Sequence, residues 1–151
     1  MSNQQKQAIE WQPDFATGVA IIDGQHRVLI KMLNQASVEL TDYSPLSDLE
    51  RIVQGLLNYA GYHFQTEEKL MAEHGYDKDS APNAAEHMRQ HKDFADKVVA
   101  VKAQVQAGQR IPKADLESFL TAWLADHILN TDRKLGKFIC DKQAKVTAAK
   151  S

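Results

Sequence analysis

The chain of 151 residues has the length of one domain, and its 18 Lys and Arg against 20 Asp and Glu give a net charge of −2, with 43% hydrophobic residues. This balance is typical of a globular protein: it argues against a nucleic-acid-binding domain, which is usually strongly basic, and no apolar run approaches the ~20 residues of a membrane span. Residues 1–7 lack the hydrophobic core of a signal peptide and the single cysteine, Cys140, excludes an internal disulfide, so we expect a cytoplasmic protein in which any metal site uses His, Asp and Glu.

Hydrophobic side chains recur at helical spacing in four long segments, and Gly and Pro residues separate these segments. The predicted helices span about 24–40, 45–74, 83–108 and 113–136, with Asp23 as the N-cap of the first and Gly136 as a possible end of the last. Short connections between helices favour antiparallel neighbours. The sequence therefore predicts an all-α fold, an up-down-up-down antiparallel four-helix bundle.

The segment before the first helix, from Trp11 to Ile22, carries large apolar side chains without a helical period and indicates an extended N-terminal arm laid on the bundle. We expect a single domain over residues 1–151, with the arm at about 8–22, the bundle at about 23–136 and a C-terminal tail at 137–151. The tail begins with Phe138 and Ile139 and ends polar, so we expect it to dock at its start and to fray at its end.

Ionisable side chains stand on the apolar face of every predicted helix. They are His26 on the first helix, His63 and Glu67 on the second, His87 and His91 on the third, and His127 and Asp132 on the fourth. A single inward histidine is more often a hydrogen-bonded core residue than a ligand. Seven unpaired groups, however, would cost several kcal/mol each, and a bound metal offsets this cost because neutral imidazole and carboxylate are metal ligands. The pattern therefore favours a metal site.

The sixth histidine and the spacing on the fourth helix depart from this pattern. His74 ends the second helix beside Gly75, where a cation is favourable, and is interpreted as structural. On an ideal helix with Leu124 at zero, His127 and Asp132 fall at roughly −60° and +80°, on opposite flanks of the apolar stripe. The pair does not share one face of an α-helix, but both side chains can converge on the bundle axis.

The number and type of the inward groups narrow the choice of metal. Five histidines and two carboxylates are too many ligands for one tetrahedral zinc ion, and they suit two transition metals bridged by the carboxylates, with iron as the first choice. The carboxylate-rich dinuclear bundles use Glu-x-x-His pairs, and no Glu in this chain has a His three residues later. The predicted site is therefore histidine-rich.

The order of the motifs along the chain resembles one known family. The ordered motifs are His26, then H-x-x-x-E (His63, Glu67), then H-x-x-x-H (His87, His91), then H-x-x-x-x-D (His127, Asp132). This set resembles the hemerythrin family, specifically its single-domain bacteriohemerythrins. Segments at 18–19, 22–26, 67–71, 75–76 and 123–124 are similar to the family as well, and the resemblance covers about residues 11–138. One departure, Asp77 where many members have proline, falls in a loop and affects no ligand.

The resemblance implies a non-haem di-iron centre, with two iron ions bridged by a solvent-derived oxygen. By this resemblance, His87, His91 and His127 complete one iron, His26 and His63 hold the other, and Glu67 and Asp132 bridge both. The second iron is then one ligand short of six, and dioxygen would bind at that position. Leu124, and with it Trp123, would line an apolar oxygen pocket; simple core packing is an equal alternative for Leu124 and the favoured one for Trp123.

The function that the resemblance implies is reversible dioxygen binding and not catalysis, for oxygen transport, storage or delivery to an oxygen-consuming enzyme partner. Small anions such as azide would bind the open iron. A di-iron enzyme with peroxidase-like or oxidase-like chemistry and an oxygen or redox sensor are the alternatives. The sequence offers no substrate-pocket motif for the first alternative and no signalling output domain for the second. We expect no nucleic-acid partner and no embedding in a membrane.

Overall fold

The computed structural model describes residues 8–149; the expectations for residues 1–7 and for the last two residues of the tail lie outside this part of the chain. After a 3-10 turn at Pro13–Phe15, the elements are α1 (Ala20–Glu39), α2 (Leu46–His74), the one-turn α3 (Tyr76–Asp79), α4 (Ala81–Gln106), α5 (Lys113–Asp126), a π-helical turn (His127–Asp132) and α6 (Arg133–Ala149). Because α5, the π-helical turn and α6 follow one another without a break, they form one long fourth helix.

Four long helices pack into the antiparallel bundle that the sequence predicts. Helix α1 contacts α2 and α5, and α2 contacts α4. Gly75, with φ at 75°, ends α2 in the left-handed conformation that favours glycine. Within residues 8–149, no helix combines the length and the hydrophobicity that a membrane span requires.

The first helix begins at Ala20, before the predicted start at residue 24, so the arm is shorter than expected and includes a 3-10 turn. Asp23 lies in the first turn of α1 and is not its N-cap. Its carboxylate accepts hydrogen bonds of 2.8–3.3 Å from the backbone N–H groups of Thr17 and Gly18 and from the Thr17 hydroxyl. The Asp23 carboxylate thus binds backbone N–H groups of the arm, which precede the helix. An aspartate that is typical of an N-cap therefore lies inside the helix, and this is why the predicted start of α1 was too late.

The prediction that the fourth helix ends at Gly136 is wrong, because the helix continues to Ala149. Gly136 is buried, and a Cβ atom there would lie 2.4 Å from the backbone oxygen of Thr17. This position is therefore occupied by glycine because the arm crosses the helix here. Ile139 is buried one turn later, so the start of the predicted tail does dock, but as part of a helix.

The hydrophobic core consists of two clusters at different heights along the bundle. The larger cluster includes Leu29, Ala60, Phe94 and Leu124, and the smaller one includes Ile22, Met71, Ala84 and Leu135. Each long helix contributes to both clusters, and its ionisable core residues lie where the helix passes from one cluster to the other. The fold thus brings a polar layer together in the middle of an apolar core.

Candidate metal centre

The seven inward ionisable side chains form one buried layer across the bundle. None of them is more than 4% exposed. The fully buried members are His26, Glu67, His87 and Asp132, each 0% exposed. Apolar clusters on both sides keep bulk water from screening the charges of the layer.

Ordinary helix geometry explains how the first three long helices supply these groups. His63 and Glu67 are four residues apart on α2, as are His87 and His91 on α4. Residues at this spacing project from one face of an α-helix. His26 stands alone on the buried face of α1.

The fourth helix supplies His127 and Asp132 through a local change of helical period. Residues His127–Asp132 form a π-helical turn, in which backbone hydrogen bonds link residues five apart. The pair therefore lies on one side of the helix, and His127 Nε2 is 3.0 Å from Asp132 Oδ1. The angles of an ideal α-helix separate the two residues because they do not include this wider turn.

The carboxylates of Glu67 and Asp132 lie between the histidines. Glu67 Oε1 faces the Nε2 atoms of His26 and His63, and Glu67 Oε2 faces those of His87 and His91. Asp132 Oδ2 is 2.8 Å from Nε2 of His26, whereas Asp132 Oδ1 is 3.0 Å from Nε2 of both His87 and His127. Each carboxylate thus has one oxygen near His26 and the other oxygen near His87.

The layer contains two groups of candidate ligands, and within each group the ligand atoms lie within 4.8 Å of one another. One group is Glu67, His87, His91, His127 and Asp132, and the other is His26, His63, Glu67 and Asp132. The two carboxylates belong to both groups. This division matches the one that the resemblance implies.

Many polar atoms of the layer are close together without forming hydrogen bonds. Among them are both ring nitrogens of His26, Nε2 of His63 and His127, and both carboxylate oxygens of Asp132. Buried polar atoms without partners cost free energy. A cation that accepts several of these lone pairs would remove the cost, and imidazole nitrogen with carboxylate oxygen is a donor set that transition metals bind. The residues present therefore fit a metal centre.

Burial and electrostatic attraction pull the pKa values of the layer in opposite directions. Burial alone would lower the pKa of His26 and of His87, but the closely placed, negatively charged carboxylates of Asp132 and Glu67 raise both pKa values to about 9. Burial dominates at His91 and lowers its pKa to about 4. Burial would raise the pKa of both carboxyl groups, but the surrounding histidines hold them below their ordinary values. The two buried carboxylates of the layer thus require positive charge close to them.

Two glutamines that the sequence analysis did not identify contact the outer nitrogens of two histidines. Gln25 Oε1 lies 2.7 Å from His63 Nδ1, and Gln90 Oε1 lies 2.8 Å from His127 Nδ1. Gln25 is 6% exposed, although an amide side chain is usually exposed. Each glutamine immediately precedes another histidine of the layer in the sequence, and this position is the only signal that marks it.

Aromatic and aliphatic side chains cover the layer on the side of the larger cluster. Phe64 stacks on His91 with 3.9 Å between ring centroids, and Trp123 stacks on His127 with 4.5 Å. Leu124 is 5% exposed and, together with Trp123, lines an apolar cavity of about 20 Å³. Trp123 therefore adjoins the layer, and Leu124 lines the same cavity as Trp123.

His74 belongs to neither group of candidate ligands within residues 8–149. It is the last residue of α2, and its backbone oxygen accepts a hydrogen bond from the Lys142 ammonium group. Its position at the helix end agrees with the structural role that the sequence indicates.

Comparisons with known proteins extend over most of the chain. The family model of the hemerythrin HHE cation binding domain matches residues 17–139. A bacteriohemerythrin of Stenotrophomonas maltophilia is 35% identical over 123 residues, which are 82% of this chain and 76% of that protein. A bacteriohemerythrin of Methylococcus capsulatus is 31% identical over 127 residues, which are 82% of this chain and 89% of that protein.

The fold has a counterpart among solved structures. A crystal structure of a wild-type hemerythrin matches with a TM-score of 0.77 over 87% of this chain and 97% of that chain, at 24% identity. This likeness confirms the predicted four-helix bundle. Because the family model covers most of the chain, including every residue of the polar layer, the chain belongs to the hemerythrin family.

Proposed function

We propose that the polar layer holds two iron ions and that the chain binds dioxygen reversibly at one of them. The observation that carries this proposal is that Glu67 and Asp132 each turn one oxygen to each group of histidines. Membership of a family described as cation-binding supports a metal, and the histidine-rich donor set supports iron over calcium or magnesium. When bound, two ferrous ions would supply the electrons on which reversible dioxygen binding depends.

The unequal division of the histidines supports one open position. We propose that His87, His91 and His127 bind one ion, that His26 and His63 bind the other, and that both carboxylates bridge them. With a bridging solvent oxygen, the first ion would have six ligands and the second would have five. The open position would then belong to the ion of His26 and His63.

An apolar cavity in the larger cluster, next to the helix turns that carry His26 and His63, supports a small apolar ligand. Leu29 lies one turn after His26, Ala60 lies one turn before His63, and both line the cavity of about 20 Å³ together with Leu124. Such a volume holds about one water-sized molecule, so it favours a diatomic ligand over an organic substrate. An apolar wall also excludes the water and protons that would expel bound dioxygen. We therefore propose Leu124 as a wall of the oxygen pocket and a binding protein as the function.

The physiological role that we propose is oxygen transport, storage or delivery to an oxygen-consuming enzyme. A cytoplasmic location is part of the proposal, and the single free cysteine, Cys140, supports it because free thiols persist in reducing compartments.

An iron count combined with optical spectroscopy tests this function. The purified chain should carry two irons and, once reduced, develop a visible absorption band in oxygen that disappears under inert gas over repeated cycles. One tightly held zinc ion and no iron would refute the di-iron centre. Immediate irreversible oxidation with release of hydrogen peroxide, or fast turnover of an added reductant, would instead favour the enzymatic alternative.

A further inference from the structure

We propose that Gln25 and Gln90 are positioning residues that keep the ring hydrogen of His63 and of His127 on Nδ1, so that both rings turn the Nε2 lone pair to the metal centre. The inference rests on the proposed function only in that the layer binds metal. It does not require that the metal bind dioxygen.

A chain of hydrogen bonds fixes the orientation of the Gln25 amide. The Thr66 hydroxyl donates its one hydrogen to the backbone oxygen of Tyr62 at 3.2 Å. Thr66 Oγ1 must therefore accept the hydrogen bond of 3.1 Å from Gln25 Nε2. The carbonyl end of the amide then faces His63, and only a hydrogen on Nδ1 can complete the 2.7 Å contact.

A different set of partners fixes the orientation of the Gln90 amide. Gln90 Nε2 donates to a carboxylate oxygen of Glu86 at 3.1 Å, and a carboxylate can only accept. The carbonyl oxygen of Gln90 therefore points inwards, where it accepts from the Thr131 hydroxyl at 2.7 Å and from His127 Nδ1 at 2.8 Å. Thr131 belongs to the π-helical turn, so the change of helical period serves this contact as well.

The two glutamines act on different metal groups and on selected histidines. His63 belongs to one group and His127 to the other. In the described part of the chain, Nδ1 of His26, His87 and His91 has no hydrogen-bond partner. Positioning by an amide is thus confined to one histidine of each group.

The chemistry of the acceptor determines what the histidine can do. A carboxylate on Nδ1 raises the basicity of a ligating imidazole, which favours a ferric ion. A neutral amide still fixes the tautomer but leaves a weaker donor, which favours the divalent state that an oxygen-binding centre must hold. Replacing either glutamine by glutamate should therefore retain the metal and lower the reduction potential of the centre.

Zinc affinity of the full chain, measured by chelator competition from the zinc-loaded protein, tests the positioning role. Gln25→Leu and Gln90→Leu keep the approximate size of the side chain without an acceptor, and each should bind zinc roughly 10–100-fold more weakly. Gln25→Glu and Gln90→Glu keep an acceptor and should retain most of the affinity. Gln104→Leu on the exposed side of α4 is the matched control and should change nothing. A space-filling role predicts the opposite order, because leucine fills the site and a buried carboxylate is costly.

Nitrogen-labelled imidazole NMR of the zinc-loaded wild-type chain adds a readout that does not depend on the folding of any variant. The spectra should show metal on Nε2 and hydrogen on Nδ1 for both His63 and His127. Metal on Nδ1 of either ring, or leucine variants with wild-type zinc affinity, would overturn the proposal. If these zinc results hold and the iron-loaded chain fails to bind dioxygen reversibly, the proposed function fails while the positioning role stands.

Discussion

Replacing Leu124 by alanine separates core packing from the proposed role of this residue beside the open metal position. The substitution removes three carbon atoms, which is about 2.4 kcal/mol of transfer free energy at ~0.8 kcal/mol per carbon. The void merges with the existing cavity of about 20 Å³ and cannot close easily. We therefore expect the free energy of unfolding to fall by about 3–5 kcal/mol, which corresponds to a Tm lower by roughly 10 °C in a chain of this size.

The same variant should keep two irons, because Leu124 offers no ligand atom, while azide binding and autoxidation should both become faster. Elemental analysis, stopped-flow mixing with azide and the decay of the oxygen-dependent absorption band measure these quantities. Leu49→Ala is the matched control: Leu49 is 4% exposed in the same apolar cluster but does not line the cavity, so it should lose stability without a change in either rate. Unchanged rates in Leu124→Ala would show that this residue only packs the core.

Glu67→Ala should lose both irons in elemental analysis because its oxygens face both groups, whereas His74→Ala should keep both; a Glu67→Ala protein with two irons would refute the bridging assignment. The oxidised protein should bind one azide per chain in an optical titration, and a second independent azide would contradict the ligand count. Metal uptake at neutral pH should release at least two protons per chain, because His26 and His87, with pKa values of about 9, are protonated without metal and must lose these protons to bind it. Metal affinity should accordingly rise with pH and level off above pH 9, which calorimetry in buffers of different ionisation enthalpy can measure. Gly136→Ala should lower the free energy of unfolding in urea by about 1–3 kcal/mol, because the new Cβ would lie 2.4 Å from a backbone oxygen of the arm; a fully stable variant would disprove that close contact.

The bundle and the membership of the polar layer could be predicted from sequence because both follow from helical spacing. Apolar residues at this spacing mark the four long helices, and ionisable residues that continue the same stripes, such as His63 and Glu67, must face the same core. Side chains so identified on separate helices lie in one layer, because each stands at a similar height between the two apolar clusters.

What the sequence did not reveal depends on contacts between distant segments or on departures from ideal helices. In the sequence, Gly136 resembles the end of a helix. In the structure, this position must lack a side chain because the backbone of Thr17, in the arm, lies against it. Thr17 is more than 100 residues away in sequence, so no local pattern reveals this contact. Gln25 escaped notice because neighbours in sequence point to different sides of a helix, so a stripe analysis that selects His26 passes over it. Its role depends on Thr66 of another helix.

The division of the core into two apolar clusters has a consequence for how the protein unfolds. Hydrophobic contacts stabilise each end of the bundle separately, and the polar layer between them keeps buried polar atoms without partners unless a cation binds it. A filled metal centre would join the four long helices at this height and couple the two ends into one cooperative unit. Without metal, the end built on Ile22, Met71 and Leu135 should become a separate unit of low stability whose amide hydrogens exchange first. In this bundle, metal loading would set unfolding cooperativity as well as ligand binding.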